Sequence, residues 1–116
     1  MYRAEFAKYN GKIPFLEFLH SLPKDEQIEI VAAIDKFLDF KNSNNRIPEK
    51  LSKFLRDGIF EIRVQHSNKI SRSLYFYEKD KTVLFTNGFI KKSQKTPSNE
   101  IDKAIEIKKY HQNIEN

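Results

Sequence analysis

Phe60, Ile62 and Val64 alternate with Glu61, Arg63 and Gln65, the period-two pattern of a strand with one buried face and one wet face. A Ser67-Asn68-Lys69 turn follows. Residues 70–77 then predict a second strand with Leu74 and Phe76 on one face and Ser73, Tyr75 and Tyr77 on the other, rich in the β-branched and aromatic side chains that suit a pleated surface. The run Glu78-Lys79-Asp80-Lys81 is too charged to bury and reads as a turn. Residues 82–86 predict a third strand, which Asn87-Gly88 breaks before a lysine-rich exit through Lys91, Lys92 and Lys95. Connections this short fit an antiparallel meander and leave no room for crossover helices.

Tyr2, Ala4 and Phe6 alternate with Arg3 and Glu5, so a further strand is expected to join the sheet at one side. Asn10-Gly11 turns the chain. Pro14 suits the first position of a short helix containing Phe15, Leu16, Phe18 and Leu19, and Pro23 opens another. Over 24–41, Ile28, Val31, Ala32, Ile34, Phe37 and Leu38 recur at three- and four-residue intervals, with Asp25, Glu26 and Glu29 near the start, where the helix dipole favours carboxylates. That helix is expected to pack on the sheet. Asn42-Ser43-Asn44-Asn45 ends the helix. In the connector, the spacing of Leu51, Phe54 and Leu55 suggests a helical turn leading to Asp57-Gly58. Thr96-Pro97 is a helix-start signal, a Thr cap with Pro at the first position; Ile101, Ala104 and Ile105 form its apolar stripe, and the charged tail from Lys108 to His111 is expected to fray. The predicted order is β-α-α-β-β-β-α, a small α+β domain in which an antiparallel meander packs with N-terminal helices and a C-terminal helix.

Composition narrows the classes. The 116 residues suffice for one domain with a single core, here 1–116. Ten Phe and five Tyr supply a core that needs neither disulfide nor metal, and zero Cys excludes thiolate metal sites and thiol nucleophiles. No apolar run approaches a membrane span and the first residues lack the apolar segment of a signal peptide, so a cytoplasmic protein with no membrane partner is expected. The net charge of +5 is unevenly placed: residues 50–95 hold 11 Lys and Arg against 4 Asp and Glu, a net of +7, and the remainder is net −2 (10 basic, 12 acidic). A basic sheet is the electrostatic footprint of a polyanion-binding surface, although lysines and arginines also solvate ordinary surfaces.

The chemistry this stretch can offer is that of cations. Arg63 and Arg72 fall in neighbouring predicted strands, and Lys91, Lys92 and Lys95 follow the third, so the five can converge as a phosphate clamp. Arginine pairs bidentately with phosphate oxygens and lysine acts as a mobile point charge. Cleavage of RNA by its own 2′-hydroxyl needs such groups to hold the charge that builds on the equatorial oxygens, and needs no metal. The alternative is that each arginine pairs with Glu61, Glu78 or another carboxylate. Arg63 occupies a polar position, but Arg72 shares its parity with Leu74 and Phe76. Tyr75 and Tyr77 are candidates for stacking unpaired bases or for the core. His66, at a strand end in the basic stretch, is a candidate acid or base near neutral pH or a simple turn residue, and Lys69 beside it is a candidate RNA contact. His20, His66 and His111 show no short metal-ligand spacing, so neither a metal site nor a cofactor is expected. There is no phosphate-binding loop and no GxSxG.

IPFLEFLHSLP, KFLRDGIFEIRV (53–64), SRSLYFY and GFIKKSQKTPSNEIDKA resemble the HigB-like, phage-related branch of the RelE/ParE toxin superfamily. The pattern KxLxDGLxELR, then YRxLYFY, then GFxKKTQKTPxxEI, is met in order and spacing across nearly the whole chain. Ser71 replaces the Tyr usual before the second arginine, Ser93 replaces a Thr, and the last helix carries lysines where arginine is common. The resemblance implies a RelE-like α+β fold and the toxin of a type II toxin–antitoxin pair, an endoribonuclease that cleaves mRNA, usually on the ribosome, and is silenced by a helix-turn-helix antitoxin of the HigA kind. It also implies that Arg63, Arg72, Lys91, Lys92 and Lys95 match the family's basic residues. ParE-like members instead poison DNA gyrase without cleaving RNA, and that alternative stands beside the nuclease. Two surfaces are open to an antitoxin: the basic sheet face, and the outer faces of the N-terminal helices, where Glu17, Glu29, Asp35 and Asp39 lie among more apolar residues than one sheet face can bury.

Overall fold

Two-residue turns set the architecture. Asp57-Gly58 has positive φ at both residues, 52° and 78°, the conformation whose twist matches a tight hairpin and which Asp-Gly adopts at low cost. It joins β2 (Ser52–Arg56) to β3 (Ile59–His66). Ser67-Asn68 joins β3 to β4 (Lys69–Glu78), and a turn with positive φ at Asp80 and Lys81 joins β4 to β5 (Thr82–Lys91). The computed structural model describes residues 1–91 and 95–115; Lys92, Ser93 and Gln94 lie outside the described residues. Before the meander come β1 (Arg3–Phe6), α1 (Pro14–His20) and α2 (Lys24–Asn42), and after it α3 (Ser98–Glu115).

The sheet order is β1-β5-β4-β3-β2, antiparallel throughout except that β1 runs parallel to β5. The expected α+β class is observed, with one more strand than the sequence predicts: 52–56 pairs with β3 instead of forming a helical turn. Asn87-Gly88 does not end the last strand either. Leu74 of β4 faces an extra residue of β5, a bulge that lets the strand run on to Lys91.

Both faces of the sheet are covered. Ile62, Tyr75, Val83 and Phe85 point toward α1 and α2, where they meet Phe15, Leu19, Ile30, Ile34 and Phe37. Ile59, Leu74, Phe76, Leu84 and Phe89 point the other way, against Ile101, Ala104 and Ile107 of α3. The alternation in β3 therefore separates two buried faces rather than a dry one from a wet one, and Glu61 is fully buried. Helix α2 packs on the sheet through Ile30, Ile34 and Phe37, leaving Ile28 60% and Val31 45% exposed on its outer face. Helix α3 starts after Pro97, whose carbonyl accepts the backbone N–H groups of Glu100 and Ile101, and remains helical through the charged tail expected to fray.

Gly88 marks the closest approach of α1 to the sheet. A Cβ at this position would overlap the Phe18 ring, and the backbone here is held by the pairing of Gly88 with Ser73 of β4. Gly88→Ala is expected to lower the unfolding free energy by about 1–3 kcal/mol, the range for overpacking a dense interior; urea denaturation monitored by circular dichroism checks it.

Candidate functional site

The β3–β4 register sets Arg63 directly opposite Arg72, and cross-strand partners share a face. That face is the α3 side, because Arg72 alternates with Leu74 and Phe76 without interruption in β4. Glu61, two residues before Arg63, lies on the same face and diagonally across from Arg72. The result is a buried cluster. Arg72 Nη1 donates to both carboxylate oxygens of Glu61 at 3.2 Å and to Thr96 Oγ1 at 3.1 Å, while the Thr96 hydroxyl donates to Glu61. Arg63 Nη1 lies 3.8 Å from Glu61 Oε2. Arg72 and Glu61 are fully enclosed, whereas the Arg63 side chain is 23% exposed. Next along the face, Lys91 pairs with Ile70 and is exposed, as is Lys95. Lys92 falls outside the described residues.

The bulge in β5 sets the start of α3 beside this cluster. Asn87 donates from its amide to Glu100, at 3.4 Å to the carbonyl and 3.3 Å to the carboxylate. Arg56 adds a tie from the first hairpin, 2.7 Å from Asp102 and 3.3 Å from Ser98. The site thus gathers cations around one buried carboxylate: Arg72 enclosed against Glu61, Arg63 partly exposed beside it, and Lys91 on the same face of β5, two residues beyond Phe89, the partner of Arg72.

The other candidates lie on the opposite face, where burial of Tyr75 corrects its expected role at RNA and Tyr77, His66 and Lys69 are half-buried. Tyr75 is in the core beneath α2, its hydroxyl 2.7 Å from Ser52 Oγ and its ring packed on Phe37, Phe60 and Phe85. Burial pushes its phenol far above the ordinary value, so it offers neither a ring face nor a proton. Tyr77 is half-buried on that side against Tyr2 and Phe60, with Lys41 Nζ 4.8 Å from its ring centre. His66 bonds through Nδ1 to Glu29 at 2.7 Å and places Nε2 3.5 Å from Asp25; the Glu29 hydrogen bond, with the charges of Glu29, Glu26 and Asp25, raises its pKa above that of a free histidine. Lys69 reaches Glu26 at 3.3 Å. Alternation alone explains the separation, since Lys69, Ser71, Ser73, Tyr75 and Tyr77 are all out of phase with Arg72.

The pairing of Arg72 with Glu61, an alternative the sequence offered, is what the structure shows, whereas its burial and the role of Thr96 were not legible. Thr96 reads as a helix cap but spends its hydroxyl on Glu61, and Glu61 reads as a wet-face residue. The period-two pattern held a clue to Glu61, whose position between Ile59 and Arg63 puts it on the side α3 must cover.

The family described as Phage derived protein Gp49-like matches residues 17–109, most of the chain. The chain belongs to this family. The Gp49-like family is a family of RelE/HigB-like toxins, which fits the toxin of a toxin–antitoxin system and implies an antitoxin partner. No curated protein matches the chain. Among the described residues of the Gp49-like chain, no helix is long and apolar enough to cross a membrane.

The buried pair makes Arg72 a determinant of the fold as well as a candidate at the site. Arg72→Ala leaves an enclosed carboxylate without its nearest cation and is expected to cost about 3–5 kcal/mol, whereas Glu61→Leu with Arg72→Met recovers most of that loss because both charges leave together. Urea denaturation of the parent, each single variant and the double variant checks this; losses that simply add contradict it.

Proposed function

We propose that this Gp49-like chain is the toxin of a type II toxin–antitoxin pair and acts as an endoribonuclease on mRNA, held on the ribosome, in the cytoplasm. The observation that carries this reading is the register that sets Arg63 opposite Arg72, with Lys91 on the same face of the next strand and Lys95 adjoining Thr96, whose hydroxyl meets Arg72. In this reading the RNA 2′-hydroxyl attacks the adjacent phosphorus and Arg63 donates to the equatorial oxygens as their charge grows. The lysines hold the flanking phosphates. His66 and Tyr75 lie on the other face, so the ammonium groups of Lys91 and Lys95 are the proton donors this face offers to the departing 5′-oxygen. Arg72 acts from behind, by binding a carboxylate that would otherwise repel the phosphate. The phosphate charge is met by side-chain cations, and the reaction so written is metal-independent.

Replacing Arg63 separates chemistry from folding better than replacing Arg72, since its side chain is partly exposed and its Nη1 lies 3.8 Å from Glu61. Arg63→Ala is expected to retain the parent's circular dichroism and to lose about 10²–10³ in cleavage rate, the range for one transition-state donor, with 2′,3′-cyclic phosphate ends on the products of the parent. Mass spectrometry of the fragments and single-turnover assays on programmed ribosomes read both. A 3′-hydroxyl end, or unchanged cleavage by Arg63→Ala, overturns the mechanism; intact transcripts together with altered plasmid supercoiling after induction favour gyrase as the target.

For the partner, a HigA-like helix-turn-helix antitoxin, the reading favours the outer face of α2. Ile28, Val31 and Ala32 there form a shallow apolar groove of about 380 Å³ between Lys24, Gln27 and Asp35, and exposed apolar area of this kind marks interfaces. Hydrogen exchange with and without the cognate antitoxin is expected to protect α2; protection confined to 63–95 with α2 unchanged rejects that surface.

A further inference from the structure

On the sheet face away from Arg63, the first turns of α2 meet the β3–β4 hairpin, and side chains of the types that bind transition metals converge there. Asp25, Glu26 and His66 each contribute one ligand atom to a cluster whose members lie within 4.8 Å of one another. Asp25 and Glu26 are some forty residues from His66 in sequence, so no spacing motif announces the group. Three further observations separate it from an ordinary patch of surface charge. Glu26 is a carboxylate only 5% exposed. A cavity of about 10 Å³ adjoins it, lined by Glu26, His66 and Ser71 among others, the room of a single water molecule. Ser71 is itself 6% exposed, and its Oγ has no hydrogen-bond partner among the described residues.

The histidine is also held in the manner of a ligand. Its Nδ1 is engaged by Glu29 at 2.7 Å, while Nε2 faces Asp25 at 3.5 Å. A carboxylate on one ring nitrogen fixes the tautomer and leaves the other nitrogen with its lone pair toward the metal, the usual outer-shell arrangement for metal-binding histidines.

We propose that Asp25, Glu26 and His66 form a binding site for a divalent ion of the zinc class, with Glu29 orienting the imidazole. Two carboxylates balance the ion's charge, and the mix of imidazole with few oxygens suits zinc over magnesium or calcium, which demand more oxygen ligands. In the metal-free chain Lys69 Nζ, 3.3 Å from Glu26, supplies the positive charge. Its side chain is 39% exposed and swings into solvent when the ion enters. Ser71 Oγ then has a partner in a water that completes the coordination. The bound ion ties the start of α2 to the β3–β4 hairpin, independently of whether the opposite face cleaves RNA.

The test uses the untagged chain, stripped with chelator and desalted, titrated with zinc chloride at mildly alkaline pH by calorimetry, with magnesium chloride as control. One zinc ion per chain is expected to bind and raise the melting temperature, with no response to magnesium. Nitrogen-detected imidazole spectra should move at His66 Nε2 and not at His20 or His111. His66→Ala and Glu26→Gln should each weaken binding about tenfold or more. Lys69→Met, which removes the competing cation and leaves the ligands in place, should tighten it several-fold and guards against a ligand variant that merely misfolds. Absence of stoichiometric zinc binding by the parent, equal affinity in folded His66→Ala, or spectral changes at His20 or His111 instead would overturn the site.

Discussion

The ion pair between Arg72 and Glu61 governs how the two sides of this sheet are used. Enclosing two charges costs several kcal/mol for each ion unless good geometry and extra hydrogen bonds offset it. Here the carboxylate receives Arg72 at 3.2 Å from both oxygens, a hydroxyl from Thr96, and the nearby charge of Arg63 at 3.8 Å. Thr96 must therefore sit over the sheet, which in turn fixes where α3 can begin. Asn87, presented by the bulge of β5, binds the first turn of that helix from the other side. The position of α3 and the closure of the core it covers follow from one buried carboxylate that has to be satisfied.

Strand β4 is the partition. With β3 and β5 on either side it has no edge, and its alternation sends Arg72, Leu74 and Phe76 to one helix layer and Ser71, Ser73 and Tyr75 to the other. Arg63, Arg72 and Lys91 lie on the α3 side. The carboxylates of α2 with His66 and Lys69 occupy the reverse side of the same hairpin. Two groups of ionisable side chains, one net positive and able to meet phosphates, the other a carboxylate–histidine cluster able to meet a cation, are thus held back to back across one layer of backbone and stay electrostatically distinct.

Helix α2 shows how a periodic pattern can exceed what a fold needs. Its inward face is complete with Ile30, Ile34 and Phe37, yet Ile28, Val31 and Ala32 remain outside beside Lys24 and Asp35. A helix of a monomeric domain gains nothing by exposing them, and a toxin family that works in pairs with antitoxins has a use for such a face.

Much of this was determined by the sequence alone. Residue alternation and turn chemistry placed β1, β3 and β4, the start of β5, and all three helices, because those signals are local. The motif residues pointed to the RelE/HigB-like toxins, which the match of 17–109 to the Gp49-like family supports. The missing strand was nearly legible too, since Asp57-Gly58 between alternating segments is a strong hairpin signal. What only the tertiary structure decided is which face each alternating residue meets. A period of two distinguishes two faces but does not say whether one or both are buried. Covering of the second face by α3 turned Glu61 from a solvated residue into the buried partner of Arg72, while α2 on the first face made Tyr75, a base-stacking candidate, part of the core. The neighbourhood of His66 with Asp25 and Glu26 arose in the same way, because contact across forty residues is set by how α2 packs on the sheet, and no local pattern records it.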